Sequence, residues 1–391
     1  MEAPADSTWR GYSVAERDRR WNAVRERGAR AGFDCLFVPL GNGLDGEYLT
    51  QMTTAVVVLP TDGRPPIVIN DRGRPTDWVQ DVRAVNREWA RHSADALIEA
   101  GMERARIGVV GLRGGRVSHV RAGDGVVIHT PYAEEVRRRL PNATFEDATD
   151  VVGMVRYVKS DEEIACLRRA AAIAEAGINE MIEIARPGVD EAVVYARVTA
   201  RMMELGSAHY HWALVTHPWD DVEQRVRSTA PPIGRRLQSG TYITNEVSAI
   251  WGGMVAQEDQ PILLGPTPDA WKPVIELQRE VFEAGLERMR LGMSFADFID
   301  FVNGFGEKRG MKTLTLLHGR GMGDDGPLLT PRSRGDAVRD ITFEAGTAFV
   351  WKPYGMSADG RLEFVWGGDV VVTDSGAKRL FKRSHGLVEI L

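Results

Sequence analysis

Two cysteines, Cys35 and Cys166, are all that 391 residues contain. They lie far apart and in no Cys-x-x-Cys or Cys/His pattern, which leaves no disulfide framework and no zinc site, and two buried free thiols are expected. Long hydrophobic runs are missing too. Nothing approaches the roughly 18 apolar residues of a membrane helix, and the opening MEAPADSTWRGYSVAERDRR lacks the apolar core of a signal peptide. A cytoplasmic protein with no membrane partner is the expectation. A basic stripe is also absent, since 49 basic residues are spread along a chain of net charge -6, and nucleic acid is not an expected partner. No glycine fingerprint follows a strand in the way a dinucleotide needs, GLRGG at Gly111 being too loose. No cofactor is expected.

What is present reads as two domains, because one hydrophobic core seldom organises so many residues. A charged helical stretch over 14–30 precedes the apolar run CLFVPL, and AVVVLP, PIVIN and RIGVVG follow as strands, with helices near 93–100 and 132–140. Strands alternating with helices give a small α/β domain over residues 1–150. Residues 151–391 form the second domain. It begins with the clearest helix signal in the chain: Ser160 and Glu163 make a capping box, and Ile164, Leu167, Ala171, Ala174, Ile178 and Met181 recur at helical spacing up to Arg186-Pro187-Gly188. Asp190 caps a further helix ending near Gly206. Helix, Arg-x-Gly and helix return from Trp271 through Arg290-Leu291-Gly292 to Gly310, which suggests an internal pseudo-repeat.

The segment GTYITNEVSAIWGGMVAQEDQPILLG reads as two strands joined at Gly252-Gly253. Pairing about that turn is expected to gather Asn245, Glu246, Gln257, Glu258 and Asp259 into one polar cluster.

Together with YVKSDEEIACLRRAAAIAEAGINEMIEIARPGVDE, LLHGRGMG, EAGTAFVWKP and WGGDVVVTD, this segment resembles the creatinase, prolidase and methionine aminopeptidase superfamily. The resemblance is good over about 150–391 and weaker over 14–150. It implies a pita-bread fold: an α/β (α+β) chain with a small α/β N-terminal domain, then pseudo-symmetric halves around a curved antiparallel sheet whose concave face holds the active site. Peptidases of the family hold two metal ions with two aspartates, a histidine and two glutamates. Matching motifs puts the aspartates on Asn245 and Ala256, the histidine on His318 in one register or Arg320 in the other, and the glutamates on Lys352 and on or near Gly367. An amide, a methyl, a lysine and a glycine cannot supply the anionic oxygens a divalent ion needs, so no metal is expected. The metal-free creatinase branch also carries asparagine at the first position. Its substrate-binding glutamate falls on Glu258, its catalytic histidine on Ser228, and its second glutamate on Lys352.

Candidate catalytic residues are therefore Glu246 and Glu258 as acid or base, His318 among glycines, and Lys352 as a fixed positive charge where the metallopeptidases hold cations. Candidate substrate-binding residues are Asn245, Gln257, Arg320, His217 in THPWDD, Trp251 and Ser228. His209 and His211 alternate on a predicted strand and have a weaker claim. The expected function is metal-independent hydrolysis or elimination at a C–N bond of a small anionic, amino-acid-like or guanidino substrate. The alternatives are an Xaa-Pro-type metallopeptidase and a non-catalytic binding protein. The resemblance implies a homodimer, with Arg72 and Arg74 as candidates to reach a second copy.

Overall fold

The computed structural model describes the chain except residues 1–8, 10, 118–125, 127, 210–211, 222–225, 229–233 and 330–339. Two compact units divide it: one holds Arg10–Tyr157 with Met322–Pro327, the other Val158–Gly321 and Leu328–Leu391 with Trp9. The chain thus changes unit after Tyr157, the last residue of a helix, Thr149–Tyr157.

The smaller unit is a six-stranded mixed sheet, β1 (Cys35–Val38), β2 (Val56–Pro60), β3 (Ile67–Asn70), β4 (Val82–Ala84), β5 (Arg106–Val109) and β6 (Thr144–Asp147), in the order β4-β3-β2-β1-β5-β6. Helices α1 (Val14–Arg30), α2 (Gly43–Thr50), α3 (Trp89–Glu99), α4 (Thr130–Arg139) and α5 (Thr149–Tyr157) accompany it. The four apolar runs of the sequence are β1, β2, β3 and β5, and Cys35 lies buried in β1. Arg156 of α5 is fully buried and bonds Asp45 at 2.7 Å and Asp325 at 2.5 Å, a buried pairing that satisfies all three charges.

The larger unit carries α6 (Asp161–Ile184), α7 (Glu191–Glu204), α8 (Lys272–Arg288) and α9 (Phe295–Gly304). Ser160 and Glu163 close the capping box of α6, and Asp190 caps α7, as the sequence predicts. Its strands are β7 (Ala213–Pro218), β8 (Val226–Ser228), β9 (Thr241–Trp251), β10 (Met254–Asp259), β11 (Ile262–Leu263), β12 (Lys312–Leu314), β13 (Leu317–Gly319), β14 (Leu328–Leu329), β15 (Ala348–Trp351), β16 (Tyr354–Met356), β17 (Glu363–Val365), β18 (Gly367–Thr373), β19 (Gly376–Arg379) and β20 (Val388–Glu389). The main sheet runs β14-β13-β15-β18-β10-β9-β11-β20, with β7 and β8 beside β9, and β12, β16 and β17 form a separate small sheet.

Helices cover one face of the main sheet. Ile243, Val247 and Ala249 of β9 join Ile178, Met181, Val194 and Val198 of α6 and α7 in one buried cluster, and Trp351 of β15 packs on Phe298 of α9 and bonds the Phe282 carbonyl of α8. Since strand side chains alternate between faces, the other face is set by the residues between these, and there the polar groups gather.

Candidate active site

The hairpin of β9 and β10 turns at Gly252 and Gly253, with φ of 58° and 76°. Positive φ at both central residues is what a tight two-residue hairpin requires and what glycine supplies. The turn fixes the register: Trp251 faces Met254, Ser248 faces Gln257 and Val247 faces Glu258. Opposed residues share a face. Glu258 therefore lies with Val247 on the helical side, while Gln257 lies with Ser248 on the other.

The expected cluster of five is thus corrected by the pleat. Glu246, Gln257 and Asp259 occupy the face without helices. Asn245 and Glu258 occupy the helical face, where Asn245 Nδ2 donates to the Gln260 carbonyl at 2.7 Å and its Oδ1 accepts from the Gln260 amide at 3.1 Å. Ala256 packs with Ala170 and Ala171 of α6. The pair matched to the metal-binding aspartates by motif, Asn245 and Ala256, thus points at the helices, and Glu246 and Gln257, one residue later at each position, hold the polar face. Trp251 also leaves the proposed site: it packs against the helical core, with the Arg169 guanidinium 5.1 Å from its ring.

Lys352 is the centre of the polar face. It is 2% exposed, and its Nζ lies 2.9 Å from Glu246 Oε1 and 3.0 Å from Asp259 Oδ2. Burial alone disfavours the ammonium, but Asp259 and Glu246 more than offset this and hold its pKa above the usual lysine value. Burial, with Glu246 nearby, pushes Asp259 up against the pull of Lys352. A second group lies alongside. Arg320 donates from Nη2 to Gln257 Oε1, the Gln257 amide group reaches Asp259 Oδ1 at 3.4 Å, and the Gln257 backbone N–H donates to Asp369 Oδ2 at 2.6 Å. Asp369 is fully buried, and burial raises its pKa to about 7 although Arg320 and the Gln257 N–H favour the carboxylate.

His318 and Arg320, the two alternatives of the Gly-rich motif, flank Gly319, and the structure brings both to this part of the molecule. His318 pairs with Val350 in the ladder and is 7% exposed. His217 pairs with Tyr242 and packs its ring against it at 5.3 Å, its Nδ1 bonded to the Pro218 carbonyl at 2.7 Å. Ser228 ends β8 opposite Leu214, and its side chain lies outside the described residues, as does His211. His209 is exposed and precedes β7 rather than lying in it. Trp212, Trp351 and Trp366 are core residues, not pocket walls.

Sequence reasoning left Asp369 out of the site and gave Asp259 no role. Both were within reach of strand periodicity: Asp259 is two residues from Gln257 and so shares its face. Arg383 was missed altogether. It donates to Glu258 Oε2 at 3.0 Å and Gln260 Oε1 at 2.7 Å, and no motif marks it.

The donor set does not suit a divalent cation. Among the described residues no three of His, Cys, Asp and Glu converge in a group that could hold a metal, and the two carboxylates that meet at Lys352, Glu246 and Asp259, already share an ammonium that would repel the ion.

A sheet backed by helices on one face and carrying a charged site on the other, in a chain that also holds a small α/β unit, defines the pita-bread class. The chain belongs to metallopeptidase family M24, which matches residues 165–374. An uncharacterized hydrolase/peptidase of Sinorhizobium fredii is 27% identical over 316 residues, 73% of this chain and 75% of its own. A creatinase of a Bacillus species is 24% identical over 305 residues, 75% of this chain and 71% of its own. The solved Xaa-Pro dipeptidase from Bacillus anthracis superposes with a TM-score of 0.76 at 18% identity, covering 96% of this chain and all of that one, which shows the shared fold. The expectation of an enzyme agrees with the hydrolases and peptidases among these relatives.

Proposed function

We propose that the chain is a metal-independent hydrolase or lyase that cleaves a C–N bond in a small amino-acid-like or guanidino acid. The observation that carries this is Lys352, whose ammonium is bonded to Glu246 and Asp259 at the position that the motif match gives to a metal-ligating glutamate. Lys352 and Arg320 are fixed cations, able to hold a carboxylate or a developing oxyanion as a metal would. With Asp369 protonated up to about 7, they stand against Glu246 and Asp259, so the site is near neutral in sum and divided in sign. That division suits a zwitterion, its carboxylate toward the cations and its cationic nitrogen toward Glu246, whose side chain is 31% exposed. Glu246 and His318 are the candidates for proton transfer. Glu258, enclosed behind the sheet, supports β10 in this reading and does not meet substrate.

The test is elemental analysis of purified protein followed by thermal-shift screening in chelator. The expected result is no stoichiometric transition metal and a raised melting temperature with amino acids or guanidino acids. One or two bound metals per chain, with the shift lost in chelator, would return the chain to the Xaa-Pro-type metallopeptidases.

A further inference from the structure

Behind the sheet, on the side away from Lys352, a groove of about 790 Å³ runs along α6, bordered by α7 and by the segment at Lys382 and Arg383. Its volume is in the range of small-molecule sites. The walls carry Arg168, Arg169, Arg201, Lys382 and Arg383 against Glu175, Glu180 and Glu183, a positive excess on a protein whose net charge is -6. Arg201 pairs with Glu204 at 3.3 Å and Arg383 with Glu258, and two of the acids are engaged as well. Glu180 pairs with Arg197 at 2.6 Å, and Glu175 Oε1 accepts the backbone N–H groups of Lys382 and Arg383 at 2.7 and 2.8 Å. Arg168 and Lys382 are exposed and make no ion pair among the described residues.

The groove ends on a buried charge. Arg383 is one of its lining residues, its side chain only 9% exposed, and it reaches through to Glu258 on the back of β10. Its Nε has no protein partner. Its other guanidinium nitrogens bond Gln260 Oε1 at 2.7 Å and Glu258 Oε2 at 3.0 Å, so Arg383 closes the inner end of the groove as a paired cation and adds to its positive field. The Glu175 contacts fix the backbone on which that guanidinium is mounted, so the cationic wall is held in place before any ligand arrives.

We propose that this groove is a second ligand site, separate from the candidate active site, that takes a small molecule bearing two or more anionic groups, held by Arg168, Arg201 and Lys382 at its rim. Carboxylate and phosphate share the chemistry that these side chains recognise. Titration calorimetry on the full chain with citrate, and separately with inorganic pyrophosphate, tests it. The expected result is saturable binding of at least one of them, one per chain. The double variant Arg168→Ala, Lys382→Ala, at two exposed positions, is expected to weaken it at least tenfold with an unchanged melting temperature. Citrate alone would make the ligand a polycarboxylate, pyrophosphate alone a phosphate compound. No saturable binding of either, or equal affinity in the double variant, overturns the proposal. Because the readout is binding and not turnover, its failure would leave the reading of the Lys352 site untouched.

Discussion

Lys352 bonds two carboxylates and is itself enclosed, so its removal acts first on stability. Lys352→Met keeps the aliphatic stem and deletes the ammonium, leaving Asp259, 6% exposed, without its counter-ion. Breaking a buried pair in this way costs about 3 to 5 kcal/mol, and urea denaturation should show a loss of that size, smaller at pH 5, where Asp259 can take up a proton, than at pH 8. Asp369 gives a second pH signature. Its carboxyl moves from an ordinary 3.8 to about 7 on folding, so between those values the folded chain holds a proton that the unfolded chain has released. Its contribution is fully present below the lower value and is lost as pH rises through the upper one, at up to about 1.4 kcal/mol per pH unit. Asp369→Asn should flatten the fall in stability between pH 4 and 7, and an unchanged slope would show that the proton sits elsewhere. At this scale the sequence was informative about which residues are polar and much less about where they point. Lys352 stands out as a reversed charge within a motif, whereas Arg383 and Asp369 gain their roles from strands and loops distant in sequence.

At the scale of the element, the β9–β10 hairpin decides the site. The turn residues were readable, and so in principle was everything that follows from them: counting outward from Gly252 and Gly253 separates Glu246, Gln257 and Asp259 from Asn245 and Glu258. Proximity along the chain suggested one cluster, and the alternation of faces makes two. The motif match erred by a single residue for the same reason, since in a strand a slip of one exchanges the faces. Gly253, with φ of 76°, admits a test. Gly253→Ala forces a side chain into the left-handed region at about 1 to 2 kcal/mol, and the melting temperature should fall accordingly while the Lys352 site keeps its ligand response. The helix ends were legible because capping is local: Ser160, Glu163 and Asp190 act within three residues of themselves.

For the whole molecule, the fold class was legible because helices, turns and glycines recur in a pattern that only a few architectures accommodate. The quaternary state was not, because nothing in the periodicity or charge pattern of the sequence marks a surface for a second copy. A homodimer remains the expectation from the resemblance, and Arg72 and Arg74, both exposed, are the residues proposed to cross. Sedimentation at micromolar concentration should give twice the 43.3 kDa of one chain, and the double variant Arg72→Ala, Arg74→Ala should weaken substrate response more than it weakens dimerisation.

The lysine bridge also bears on how such a site could change over generations. If Lys352→Glu arose alone, it would bring a third carboxylate beside Glu246 and Asp259 and remove the ammonium between them, with Gln257 Oε1 still held by Arg320. That step costs stability through repulsion among enclosed carboxylates unless a cation enters to join them. In the metal-independent reading proposed above, the tethered ammonium is what keeps the two carboxylates together without such an ion.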